Sequence, residues 1–525
     1  MNFGAHGELQ LFALLVVLAG LLALAPALRV PVPVLLVSGG IVLGFVPGLP
    51  RIVLPPDIVL VALLPPLLYS AAFFTSLRDL RANLRPISLL AIGLVGTTMT
   101  GVAAAAHAWL GLPWAVAFTL GAIVSPTDAL AVTEIAGRVA MPRRIVAILE
   151  GESLVNDGTA LVLYKAAVGA AVGGGFSILH VGAHLVLNVI GGIAIGLGVG
   201  YVVRQVRKRT NDPPIEVAIA VLTGYLAYLP ATALGVSGVL AAVTVGVYMG
   251  WYTPELTNVD TRLTGNAFWE ILTFLVNALL FVLVGLQLRP IVHALSGSRD
   301  YAADAAIVCA AVVVLRIVWV PIFTYLPRFL FASVRARDPY PPWQAPAVIS
   351  WAGIRGGVSL AAALALPTTF PDRDLIIFVT FCVLAATLVA QGMTLPALIV
   401  AIRLPPDDGG AAREDSKARI RAAEAALARL EELVAEGVVH PDSADRLRGA
   451  YGFRVRRFQS RLDGDEDGEA EQRSQRYQRV RRELLDAERG AVIALRNAGY
   501  INDEVMNRVQ RDIDLEDSRL DVSPG

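Results

Sequence analysis

The chain has 525 residues, is 55% hydrophobic and has a mean hydropathy of +0.61. That composition excludes an ordinary soluble globular protein and points to a polytopic membrane protein. The 44 basic and 44 acidic residues cancel, which leaves no electrostatic case for binding nucleic acid.

Charge is unevenly placed, with 48 of the charged residues lying from Arg403 onward. Residues 1–402 therefore read as a membrane domain and 403–525 as a soluble tail. Thirteen apolar segments can be marked, roughly 9–28, 32–48, 57–75, 86–110, 113–136, 144–171, 178–203, 214–233, 236–252, 266–288, 302–327, 344–366 and 375–402. The first lacks a preceding basic region and reads as a retained helix, not a cleaved signal peptide. With the N-terminus outside, the inner loops hold fifteen Lys and Arg residues and the outer loops four. This bias places the tail in the cytoplasm and calls for an odd number of helices.

The fifth segment contains Ser125-Pro-Thr-Asp128 at about its middle. Pro126 lacks a backbone donor and disfavours helix at Ser125. A proline flanked by polar residues at bilayer depth predicts a broken helix, whose free carbonyls and helix ends suit cations and carboxylates.

The sixth segment carries Glu150, Glu152, Asn156 and Asp157 in an apolar run. An ionised carboxylate at mid-membrane costs about 2.5–3.5 kcal/mol on insertion scales, so such groups mark sites. At 100° per residue, Asp157 lies about 40° from Ser153 and about 20° from Glu150. A carboxylate, a hydroxyl and an amide side by side suit a small hard cation.

In the tenth and eleventh segments, Glu270 and Arg316 are expected to form structural ion pairs. Lys165, two turns beyond Asp157, either reaches the interface or tunes the site, and His107 reads as incidental. Cys309 and Cys382 sit in apolar runs and offer no disulfide or zinc framework.

The twelfth segment contains Gly353-Ile-Arg-Gly-Gly357. Arg355 cannot lose its proton and needs a buried anion, for which Glu152 is the candidate. Helices five and twelve are seven apart, as inverted repeats of helices one to six and eight to thirteen would place them. The tail predicts helices over 416–436, 441–462, 470–498 and 503–520, forming a small bundle or a dimerisation arm. No nucleotide-binding loop is present.

Glu152-Ser-Leu-Val-Asn-Asp157, Ser125-Pro-Thr-Asp128 and Gly353-Ile-Arg-Gly-Gly357, in that arrangement on helices six, five and twelve, resemble the electroneutral branch of the sodium/proton exchanger family. Phe268-Trp-Glu270 through Gly285-Leu-Gln287 is similar to the same family. The resemblance covers the membrane part. It implies an all-α fold of about 13 transmembrane helices with two crossing broken helices, a mobile core half, a dimerisation half and a homodimer in the cell membrane. It implies Asp157 as the shared carboxylate for Na⁺ and H⁺, with Ser153 and Thr127 helping to ligate the ion near Asn156 and Asp128. Asn156, Glu152 and Arg355 would hold the core together. Ala129 departs from the proline usual at that place in bacterial relatives.

The function expected is antiport of Na⁺, with K⁺ or Li⁺ as alternatives, against H⁺, with no cofactor and with the ion gradients as energy source. Asn156 cannot titrate, so Asp157 alone changes protonation and exchange should be one for one. The rivals are an intramembrane aspartyl protease using Asp128 and Asp157, and a passive cation channel. The protease lacks its usual motif surroundings, and neither rival explains Arg355.

Overall fold

The computed structural model describes residues 16–25, 27, 30–46, 58–129, 132–133, 141–173, 178–210, 212–295, 300–404, 410–463 and 468–518. Arg29, Arg51, Arg138 and Arg299 of the loop-charge count lie outside the described residues, as do residues 130–131 and 134–136 of the fifth segment. The chain divides into two compact units, Met1–Pro406 and Asp407–Gly525.

The regular structure of the first unit is helical among its described residues. In chain order its main helices are α1 (Val16–Ala25), α2 (Val32–Gly44), α3 (Leu64–Phe74), α4 (Leu84–Leu110), α5 (Trp114–Val124) and α6 (Arg143–Ala171). There follow α7 (Ile178–Arg207), α8 (Pro213–Ala233), α9 (Gly238–Leu256), α10 (Val259–Leu286) and α11 (Tyr301–Leu330). The last are α12 (Gln344–Trp351), α13 (Gly357–Leu364) and α14 (Arg373–Ala401). Every one of the thirteen apolar segments thus contains a helix, and the twelfth contains two. Helices are the expected solution, because a bilayer offers the backbone no other hydrogen-bond partner. Among the described residues, six helices are individually long and apolar enough to cross a membrane. α6 falls outside that set, consistent with its carboxylates.

The helix starts are written locally. Asp212 accepts from the Ile215 amide ahead of two prolines, Ser237 from Leu240 and Asn258 from Thr261.

Two packed regions result. In one, α3, α7, α8, α9 and α10 surround Tyr69, Met249 and Trp269. Small residues bring these helices together. A methyl group on Gly246 or Gly250 would collide with the carbonyl oxygens of Tyr69 or Phe73. The other region joins α2 and α10 to α4, α5, α6 and α11 through α14 in one large apolar core, and it encloses the two helix breaks.

The second unit holds α15 (Gly410–Ala435), α16 (Pro441–Asp463), α17 (Gly468–Asn497) and α18 (Asp503–Ser518). They form two hairpins. Arg448 reaches back to Glu431 at 2.7 and 2.8 Å in the first, and Arg489 reaches Asp514 at 2.9 Å in the second. Gly437 and Gly499 end α15 and α17 with φ of 73° and 77°, a backbone conformation that glycine adopts without steric cost.

Candidate functional site

α5 stops at Val124, and Ser125–Asp128 continue as non-helical chain. α12 likewise stops at Trp351, and α13 starts only at Gly357. The two irregular stretches cross. The Asp128 amide donates to the Ile354 carbonyl at 2.8 Å, so each break satisfies part of the other. Both expected helix breaks are present, and they meet.

Each half-helix ending at the crossing receives an arginine. Arg355 Nε donates to the Val124 carbonyl at 3.1 Å, and its Nη1 donates to the Gly353 carbonyl. Arg316 Nε donates to the Ile349 carbonyl at 3.1 Å, in the last turn of α12. A cation at a helix C-terminus meets both the unsatisfied carbonyls and the negative end of the dipole.

Glu152 corrects one expectation. Its carboxylate pairs with Arg316, not with Arg355: Nη1 lies 2.5 Å from Oε1 and Nη2 2.8 Å from Oε2. Both side chains are almost wholly buried, at 1% and 2% exposure. Arg355 stays close by but forms no ion pair among the described residues: its Nε and Nη1 go to backbone oxygens, and its buried Nη2 meets no partner there. The sequence sets two arginines, Arg316 and Arg355, in apolar runs, either of which could meet Glu152. It could not show that one arginine is held by peptide carbonyls freed by a helix break. The signal available was Arg316 itself, a second arginine at the middle of an apolar run.

The remaining expected residues gather around Asp157. The Thr127 hydroxyl donates to Glu152 Oε1 at 3.0 Å and accepts from the Asn156 amide at 2.7 Å. Asn156 Oδ1 has no partner among the described residues. The Ala129 amide donates to Ser153 Oγ at 3.3 Å, so Ser153 is tied to the break just after Asp128. Asp128 packs on Gly356, the residue that opens α13, where a side-chain carbon would collide with its carboxyl group. Its carboxylate therefore sits at the positive end of that half-helix.

Asp157 is buried to 8% exposure and lines a cavity of about 250 Å³. Thr127, Asp128, Ser153 and Glu150 share the wall, and Asn277 and Ser359 face it from α10 and α13. Asn277 Oδ1 and Ser359 Oγ lack partners among the described residues. The cavity thus offers two carboxylates close together, uncommitted neutral oxygens and an approach from Glu150, two turns along α6. Oxygen donors of this kind suit a hard monovalent cation, and a proton can take the place of the cation on a carboxylate.

Elsewhere, Glu270 corrects a second expectation. It is exposed and forms no ion pair among the described residues, because its neighbour Trp269 turns the other face of α10 inward. Lys165 is exposed. His107 stacks on Trp114 and bonds the Leu112 carbonyl, a structural role.

The model of the transmembrane sodium/hydrogen exchanger family matches residues 13–401. The chain is 37% identical over 503 residues to an uncharacterized Na⁺/H⁺ exchanger of Mycobacterium tuberculosis, covering 94% of this chain and 92% of that one. It is 34% identical to the low-affinity Na⁺/H⁺ antiporter NhaS1 of Synechocystis, covering 73% and 72% of the two chains. It is 31% identical to a sodium, potassium, lithium and rubidium/H⁺ antiporter of Bacillus subtilis, covering 74% and 62%. In fold it is similar to the sodium proton antiporter MjNhaP1 of Methanocaldococcus jannaschii, with a TM-score of 0.59 at 19% identity over 75% of this chain and all of that one.

Proposed function

The chain belongs to the sodium/hydrogen exchanger family and is a cation/proton antiporter of the membrane, and we propose that Asp157 is the single carboxylate on which Na⁺ and H⁺ compete. The observation that carries this is its position. Thr127, Glu152, Asn156 and Arg316 are bound to one another, whereas the Asp157 carboxylate lines the cavity with no hydrogen bond to the described residues.

The geometry supports a division of labour. Glu152, Arg316, Thr127 and Asn156 form a closed network that fixes α6 against both breaks. Arg355 holds the end of α5. Ser153, with the Thr127 backbone, lies where it can complete the ion's oxygen shell beside Asp157, and Asp128 supplies a second negative charge. A proton and a cation exclude each other at one carboxylate. If the core moves between its two openings only when Asp157 is neutralised, either ion permits the crossing and neither leaks alone.

Na⁺ is the cation assigned, with K⁺ and Li⁺ as alternatives, since one relative is named for all three. Asn156 cannot carry a second proton, and Glu152 is held by Arg316. The exchange is therefore one for one and moves no net charge. The loop-charge bias puts the tail in the cytoplasm, and residues 403–525 regulate exchange without taking part in it. The protein works as a homodimer. A hydrolase reading would give Asp128 and Asp157 one shared proton, whereas the relatives are transporters.

Purified protein in sealed vesicles tests this reading. An imposed Na⁺ gradient should drive proton movement, and Asp157→Asn should abolish it while leaving the thermal unfolding curve intact. Robust exchange in that variant removes Asp157 from the mechanism. With voltage clamped by potassium and valinomycin, the Na⁺ gradient that balances a fixed pH gradient should not depend on voltage. A voltage-dependent balance point overturns the one-for-one scheme. A chain ending at Pro406 should keep exchange with altered pH dependence, and complete loss in a folded truncation would assign the tail a direct role.

A further inference from the structure

A second charged pocket lies in the membrane unit, away from Asp157. Arg85 opens α4, Arg144 lies in the first turn of α6, and Arg328 lies in the last turn of α11. All three converge on Asp338. Arg144 Nη2 donates to its Oδ1 at 2.9 Å and Arg328 Nη2 to its Oδ2 at 2.5 Å, while Arg85 Nη1 stands 3.7 Å from Oδ2. Three guanidinium groups face one carboxylate, which leaves an excess of two positive charges.

Two of the three are otherwise satisfied. Arg144 Nε bonds the Asn83 side chain at 3.1 Å, and Arg328 bonds the Asp338 and Thr324 carbonyls. Arg85 is different. Both of its terminal nitrogens are buried, and neither makes a hydrogen bond among the described residues. Buried guanidinium donors left unbonded are costly and rare. They line a cavity of about 80 Å³ whose other walls include the stacked rings of Trp319 and Phe323, with centroids 3.6 Å apart.

We propose that this pocket binds a phosphate group, carried by an acidic phospholipid or free in solution. Guanidinium forks match phosphate oxygens in pairs. The positive end of α6 adds to the attraction, and the aromatic wall continues the pocket beyond the arginines. The three arginines come from three separated parts of the chain, so the bound anion ties the starts of α4 and α6 to the end of α11. α6 also carries Glu152 and Asp157, so occupancy of the pocket bears on the element that holds the ion site. The pocket opens on the face rich in loop arginines, which the charge bias assigns to the cytoplasm and its anionic leaflet.

The test is thermal unfolding of the delipidated full-length protein in neutral detergent, titrated with phosphatidylglycerol, phosphatidylcholine or inorganic phosphate. Phosphatidylglycerol or inorganic phosphate should raise the Tm, and phosphatidylcholine should not. A shift from the lipid alone assigns a lipid ligand, and a shift from inorganic phosphate assigns the free anion. Arg85→Gln should weaken the apparent affinity about tenfold, the effect of losing a charge-assisted bond. Arg209→Gln, which removes an exposed arginine elsewhere, should not weaken it. If Arg85→Gln does not fold, Arg85→Lys serves, because it keeps the charge but loses the fork and should still bind severalfold more weakly. The proposal is overturned if wild-type protein gains no stability from either anion, or if the Arg85 variant responds as Arg209→Gln does.

Discussion

Among its described residues the membrane unit contains two deeply buried arginine–glutamate pairs, and they are built differently. Arg207 and Glu216 lie nine residues apart, across the short turn between α7 and α8. One nitrogen meets one oxygen at 2.9 Å, Arg207 also reaches the Thr253 hydroxyl at 3.2 Å, and Glu216 Oε1 and Arg207 Nε have no partner among the described residues. A cavity of about 280 Å³ adjoins them. Arg316 and Glu152 lie 164 residues apart. They meet through two bonds, and Thr127 adds a third to the same carboxylate. The first pair staples neighbouring helices within the glycine-packed region. The second joins α6, α11 and both helix breaks. The difference shows where buried charge does positional work: at the crossing, removing one group unseats four chain segments.

The comparison can be broken by measuring stability. Removing one partner of a closed buried pair costs roughly 3–5 kcal/mol. Glu152→Gln and Arg316→Gln should each approach that value in thermal or denaturant unfolding, and exchange should be lost with the fold of the crossing. Arg207→Gln and Glu216→Gln should cost less, roughly 1–3 kcal/mol. Their pair uses half its bonding capacity, and the adjoining cavity can admit water to the survivor. Exchange should persist in both. Equal losses at the two pairs would mean that bond count and water access do not separate them.

The glycines of the two regions sharpen the same contrast. Gly250→Ala pushes a methyl group against the Phe73 backbone, and Gly356→Ala pushes one against the Asp128 carboxyl group. Overpacking of this kind costs about 1–3 kcal/mol in either place. Only Gly356→Ala should also raise the Na⁺ concentration for half-maximal exchange, because only there does the displaced group line the cavity that Asp157 shares. An unchanged Na⁺ dependence would detach Asp128 from the site.

How much of this was legible in the sequence follows from the same chemistry. Pro126 and the run Gly353-Ile-Arg-Gly-Gly357 announced breaks, because proline and glycine act locally on the backbone. Ser153, Asn156 and Asp157 were legible because helical periodicity places them side by side. Partner choice was not legible. Arg355 and Arg316 are both permanent cations in apolar runs, and nothing local says which one meets Glu152. That depends on the direction in which α12 ends and on the carbonyl that α5 leaves open at Val124. Glu270 was misread for a related reason: hydropathy reports depth in a segment but not which face a side chain occupies. The Arg85 cluster was invisible because its members are scattered over loop ends that read only as orientation signals.

The finest test concerns the two arginines of the crossing themselves. Arg316 satisfies Glu152 directly, whereas Arg355 stands near Glu152 but gives its Nε and Nη1 to the Val124 and Gly353 carbonyls. A double-mutant cycle isolates each pairwise energy. Glu152→Gln with Arg316→Gln should show a coupling of at least about 2 kcal/mol, since each single variant strands a charge that the double variant removes. Glu152→Gln with Arg355→Gln should show a smaller coupling, below roughly 1 kcal/mol, because only through-space attraction links them. Arg355→Gln alone should loosen the end of α5 without stranding a carboxylate, so its own loss should fall below that of Arg316→Gln. If the larger coupling belongs to Arg355, then Glu152 changes partner during the transport cycle, and the pairing seen here is that of one conformation. Repeating both cycles with saturating Na⁺ would then show whether the ion drives the exchange of partners.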